Sequence, residues 1–82
     1  MKRKTQLPWR RIDGEGVVLS TTKDEAHILN DTAILIWEML DGRHTVDEIA
    51  DRLTSEYSIP RKNALADVNQ FIKMLRSKEL VE

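Results

Sequence analysis

Apolar and polar positions alternate through the first third of the chain and then recur at helical spacing to the end. Leu7 to Ile12 and the β-branched run Val17, Val18, Leu19, Ser20, Thr21, Thr22 flank Asp13-Gly14-Glu15-Gly16. That segment supplies the glycines a tight turn needs for positive φ, so the two runs predict a hairpin. A second polar turn at Lys23-Asp24-Glu25 leads into Ala26-His27-Ile28-Leu29, short enough for a third strand. Residues 7–29 therefore predict a three-stranded antiparallel meander, whose outermost strand keeps an unpaired row of backbone donors and acceptors.

From Asn30 the period becomes helical. Asn30 or Asp31 is a suitable N-cap, Ala33, Ile36, Trp37 and Leu40 follow at helical spacing, and Asp41-Gly42 stops a first helix over about residues 31–41. Thr45-Val46-Asp47-Glu48 has the pattern of a capping box, and Val46, Ile49, Ala50, Leu53 and Tyr57 form one stripe of a second helix running to about Glu56. Pro60 separates it from the longest segment, in which Ala64, Leu65, Val68, Phe71, Ile72 and Leu75 predict a third helix ending near Lys78. Leu80 and Val81 are placed to close the core. The expected fold is α+β and winged-helix-like: a three-stranded N-terminal antiparallel sheet followed by three helices, in one domain over residues 1–82.

Composition narrows the function classes. There is no cysteine, hence no thiolate nucleophile, zinc finger or disulfide, and the expected setting is cytoplasmic. MKRKTQLPW resembles a signal-peptide n-region in charge, but Arg10, Arg11, Asp13 and Glu15 interrupt any apolar stretch after it, so no targeting or membrane segment is expected. Thirteen basic and 14 acidic residues give a net charge of -1, without a field that would draw the chain to phosphate or an anionic membrane. Lys2, Arg3 and Lys4 are expected in a frayed, flexible tail over residues 1–6.

No catalytic constellation emerges. The two histidines, His27 and His44, lack metal-pair spacing, and Asp47, Glu48 and Asp51 belong to a cap and a polar helix face. Gly14 and Gly16 precede a strand, so no helix N-terminal amides await a phosphate. Ser20, Ser55, Ser58 and Ser77 lack the glycine-flanked elbow of a nucleophile. The expectation is a non-enzymatic binding module with no metal and no cofactor. Winged-helix DNA binding is the competing reading, because the third helix carries Arg61, Lys62, Asn63, Asn69, Gln70, Lys73, Arg76 and Lys78. Asp67, Glu79 and the acidic second helix oppose it.

Leu29-Asn30-Asp31-Thr32-Ala33, Ile36, Trp37, Asp41-Gly42-Arg43-His44-Thr45-Val46, then Ile49, Leu53, Tyr57, Val68, Phe71, Leu75 and Leu80-Val81, together resemble the PqqD-like family from about Val17 to Val81. Its members are recognition elements for ribosomally synthesised, post-translationally modified peptides (RiPPs). The resemblance implies three strands then three helices, and a function of holding a precursor's leader segment as a strand added to the third strand, beside the third helix. The partners it implies are that leader and a processing enzyme such as a leader protease, with a downstream cyclase in the pathway, and neither nucleic acid nor membrane. A short chain without extension resembles the leader-binding half of split lasso-peptide systems. The alternative is PqqD itself, a peptide chaperone for a radical SAM enzyme in the biosynthesis of the quinone cofactor PQQ.

Carried onto this sequence, the peptide-binding strand is Ala26, His27, Ile28 and Leu29. On the third helix, whose stripe centres on Ala64, Val68 and Leu75, residues Asp67, Phe71, Met74 and Lys78 share one edge, with Leu65, Ile72 and Arg76 on the other. Asp67, Val68, Phe71, Met74, Leu75 and Lys78 are therefore the expected groove residues. Met74, a flexible thioether outside the central stripe, suits an adaptable pocket, although an extra core residue would look the same. Lys78 is placed to meet an acidic leader residue, and Trp9 and Trp37 are assigned to the core.

Overall fold

The computed structural model describes residues 2–4, 7–20 and 25–82. Strands β1 (Trp9–Ile12), β2 (Glu15–Ser20) and β3 (Glu25–Leu29) form one antiparallel sheet in the order β1-β2-β3. Helices α1 (Asp31–Met39), α2 (Val46–Tyr57) and α3 (Arg61–Ser77) follow. The expected fold class is the observed one. Of the second polar turn, Lys23 and Asp24 lie outside the described residues, as do Thr21 and Thr22 of the predicted second strand.

The first hairpin closes on Asp13 (φ 48°) and Gly14 (φ 83°), with Ile12 paired to Glu15. Both central residues take the positive φ that a two-residue hairpin favours. Gly16 has a different task. It lies in β2, where an added Cβ would overlap the Ile34 side chain, 2.6 Å from Cγ1, so its missing side chain lets α1 settle onto the sheet.

Local chemistry fixes the helix starts. Asn30 Oδ1 accepts from the Ala33 amide at 2.9 Å and from the Thr32 hydroxyl at 3.0 Å. The capping box forms in full: the Thr45 hydroxyl accepts from the Glu48 amide at 3.1 Å, and the Glu48 carboxylate accepts from the Thr45 amide at 2.8 Å. Helix α1 ends at Met39, two residues before the sequence predicts: Leu40 leaves helical geometry at ψ 62°, and its carbonyl accepts from the Arg3 amide at 2.8 Å.

That bond belongs to a tie the basic pattern of the N-terminus did not announce. Lys2 bridges to Asp41 and Arg3 to Val81, and the Lys4 amide donates to Leu80. The expectation of a frayed tail is therefore corrected for residues 2–4; Met1, Thr5 and Gln6 lie outside the described residues. The core gathers Val18 from the sheet, Ile34, Trp37 and Leu40 from α1 and the residue after it, Ile49 and Leu53 from α2, Val68 and Leu75 from α3, and Leu80. Trp37 is fully buried as expected. Trp9 is not: 37% exposed, it stands edge-on to Trp37 at 6.5 Å with the Arg3 guanidinium 5.5 Å from its ring centre. Among the described residues no helix is long and apolar enough to cross a membrane.

Candidate peptide-binding edge and groove

Strand β3 is an edge strand, and its register decides which of its groups are open. In a two-residue hairpin Ile12 and Glu15 exchange both backbone bonds, and antiparallel pairs alternate between bonded and non-bonded. Arg10 with Val17 is then the next bonded pair, and the Leu19 amide donates to Pro8 O at 2.9 Å, in step with that alternation. Glu15, Val17 and Leu19 thus turn their backbone groups toward β1, leaving Gly16, Val18 and Ser20 to face β3. Their partners are Leu29, His27 and Glu25. It follows that Ala26 and Ile28 aim their N–H and C=O groups at the open edge.

Side chains alternate in the complementary sense. His27 lies opposite buried Val18 on the inner face, and Leu29 is itself buried. Ala26 and Ile28 point outward, Ile28 with 72% of its surface exposed. The four residues expected to bind peptide therefore divide into two that offer backbone to the edge and two that shape the inner side. The His27 imidazole is mostly covered, its Nε2 3.6 Å from Glu25 and, among the described residues, without a hydrogen-bond partner.

Where β3 ends, a groove of about 370 Å³ begins between α1 and α3. Ala33, Ile36, Phe71 and Met74 supply its apolar lining, and Asn30, Thr32, Asp67 and Gln70 its polar lining. The structure thus brings together Asp67, Phe71 and Met74 of the expected flank. It does not bring in the other three. Val68 and Leu75 are fully buried core residues that back the wall without facing the groove, and Lys78, the C-cap of α3, lies outside the lining. The stripe centre seats a helix on its core, so only its edge remains for a ligand.

The α1 side of the groove was missed. Asn30, Thr32, Ala33 and Ile36 carry a cap and a core stripe in the sequence, and nothing in that periodicity tells which other helix they face. The available signal was position: an N-cap immediately after an edge strand must lie where that strand delivers the chain.

Away from the groove, several ionisable groups are engaged in pairs. Arg61 donates to Asp51 at 2.7 Å and Asp47 at 3.1 Å, and both carboxylates raise its pKa. Asp41 accepts from the Arg43 amide at 2.8 Å and contacts His44 Nδ1 at 3.0 Å, which hold its carboxyl below the usual carboxylate range. Among the described residues no group of three or more His, Asp or Glu side chains is arranged to hold a metal.

The fold matches that of TbiB1, solved in complex with the TbiA(beta) leader peptide, with a TM-score of 0.89 and 30% identity over 100% of this chain and 95% of that one. A lasso peptide synthetase B1, also solved with its leader peptide, matches with a TM-score of 0.82 and 30% identity over 94% and 91% of the two chains. The PqqD truncation of Methylobacterium extorquens PqqCD, a stand-alone RiPP recognition element, shares the fold with a TM-score of 0.80 and 24% identity, over 99% and 86%. No curated protein matches the sequence. The family model for Coenzyme PQQ synthesis protein D (PqqD) matches residues 15–81, from β2 through all three helices, and the chain belongs to that family.

Proposed function

We propose that this protein binds the leader segment of a ribosomally synthesised precursor peptide, without catalysing a reaction itself, and presents it to a separate processing enzyme. The observation that carries this reading is the continuity between the open edge of β3 and the groove that starts at Asn30. A peptide strand added to that edge takes up the outward backbone groups of Ala26 and Ile28. Its inward side chains then fall beyond His27 and Leu29, toward Phe71 and Met74. The two relatives at 30% identity were each solved with a leader peptide bound, which supports the same class of ligand here.

Within that class we favour a lasso-type pathway, with the leader protease as the enzyme served. Likeness is greater to the B1 proteins than to the PqqD truncation, in both identity and TM-score. The DNA-binding reading loses support at α3, whose first cation, Arg61, is already neutralised by two carboxylates of α2.

The test is an NMR titration with a synthetic leader from a short precursor gene neighbouring the one for this protein. Saturable shifts confined to residues 25–36 and to the 67–74 face of α3 are expected. Shifts confined elsewhere, or saturable duplex DNA binding with steep salt dependence and no peptide response, would overturn the reading.

A further inference from the structure

The groove between α1 and α3 contains one charged side chain, and the structure leaves it uncompensated. Of its four polar lining residues, Asn30 and Thr32 are engaged in capping α1. Asp67 is the only ionisable one, and it makes no hydrogen bond or ion pair among the described residues. Several other carboxylates are paired, Glu38 with Arg11, Asp41 with His44, Asp47 and Asp51 with Arg61, and Glu56 with Arg52, and what sets Asp67 apart from the remaining unpaired ones is its place in the groove lining. The residues one turn either side of Asp67 on α3 are Asn63, Ala64, Gln70 and Phe71, none of them a cation. Across the groove the nearest charge in sequence to Asn30 and Thr32 is Asp31, a second acid.

A ligand lying in this groove strips water from the Asp67 carboxylate, and a bare carboxylate facing an apolar or acidic group is penalised. The adjoining surfaces of Ala33, Ile36, Phe71 and Met74 call for an apolar side chain beside it. We infer that Asp67 is a specificity-determining residue, which selects peptides placing a lysine or arginine next to the apolar side chain seated between α1 and α3. This rests on the peptide-binding reading above and adds the charge of the recognised residue. The magnitude is that of a partly exposed ion pair, a preference of roughly threefold to fivefold per position.

The experiment selects a phage-displayed random peptide library on the intact wild-type protein and on the Asp67→Asn and Asp67→Lys variants. Asp67 is exposed on a helix surface, so both variants should fold, which circular dichroism checks. Wild-type selections should enrich Lys or Arg at one fixed spacing from an apolar residue. D67N should still capture peptides but lose that enrichment, and D67K should replace it with Asp or Glu. Peptides captured without a cationic preference, or with one that survives both substitutions, would overturn the role of Asp67 while leaving peptide binding standing. If the wild-type protein captures no peptide, the peptide-binding reading fails and this inference with it; peptides captured indifferently to a Met74→Glu change do not enter the groove, and overturn the role of Asp67 alone.

Discussion

The guanidinium of Arg3 donates to the main-chain carbonyl of Trp37 at 2.9 Å and to that of Glu38 at 2.7 Å. These carbonyls belong to the last turn of α1, which leaves acceptors without intrahelical partners and carries the negative end of the helix dipole. The turn itself has no basic residue, so a cation distant in sequence supplies the cap. Arg3→Ala should lower stability by about 1–3 kcal/mol, the worth of charge-assisted hydrogen bonds in a partly buried setting. In a domain of this size each kcal/mol moves Tm by roughly 4–8 °C. Lys2→Ala, which removes a side chain but no such bonds, is the control, and a thermal melt of both variants decides whether the N-terminal segment is held as described.

Gly16 is required by packing rather than by φ. Gly16→Ala drives a methyl into the buried Ile34 side chain and should cost about 1–3 kcal/mol, as overpacked cores do. Urea denaturation measures it, and combining the change with Ile34→Ala should recover part of the loss, since the clash then has no second partner. Gly14→Ala meets no neighbour and tests the positive φ alone. Its cost should not respond to Ile34→Ala.

The sequence was most readable where structure is decided over three or four residues. The capping box at Thr45 and Glu48, the Asp13-Gly14 turn and the apolar stripes of α2 and α3 report interactions between near neighbours in the chain. Arg3 was opaque for the opposite reason: its partners lie 34 and 35 residues away, and a basic run beside an apolar one looks the same whether it frays or caps. The groove was half legible. Helix periodicity placed Asp67, Phe71 and Met74 on one flank, but Val68 and Leu75 belong to the centre of the stripe and are consumed by the core. That Ala33 and Ile36 face this flank is a matter of tertiary docking, which periodicity within one helix does not encode.

Asp41 links the exit of α1 to the start of α2 and gives the loop a pH dependence of definite sign. The Arg43 amide, and after it the His44 ring, hold its pKa below 3.8 in the folded protein. A carboxyl whose folded pKa is depressed contributes stability that is present above its unfolded pKa and lost as pH falls through the folded value. Stability should therefore decline in acid below about pH 3.8, and Asp41→Asn should flatten that part of the profile. Carboxyl-detected NMR titration of Asp41 checks the premise directly; a midpoint at or above 3.8 would remove it.

Met74 lies at the lip of the groove, half-buried, with its thioether beside Phe71 and opposite Ala33 and Ile36. Met74→Glu should weaken leader binding at least tenfold, because seating an apolar side chain would then desolvate a carboxylate, about 1.4 kcal/mol or more. The fold should survive, since the position is not fully enclosed. Isothermal titration against the synthetic leader measures the loss, and unchanged affinity would show that peptide does not enter between α1 and α3.

Ile28 allows the backbone and side-chain parts of edge recognition to be separated. Its side chain projects from the outer face of the sheet, away from the groove, whereas its N–H and C=O face the open edge by the alternation that runs from the Asp13-Gly14 hairpin. Ile28→Pro removes one outward donor without breaking a bond to β2, since proline is tolerated on an edge strand whose N–H is unpaired. Affinity for the leader should fall by about tenfold or more, the loss of a hydrogen bond together with the added strand's unpaired acceptor. Ile28→Ala, by contrast, should leave affinity within about twofold, because exposed positions away from a contact contribute little. His27→Pro completes the set: its N–H faces Val18, so proline there should unfold β3 and destabilise the domain before any peptide is added. If Ile28→Pro and Ile28→Ala bind alike, the leader does not pair with β3, and recognition must rest on the α1–α3 groove alone.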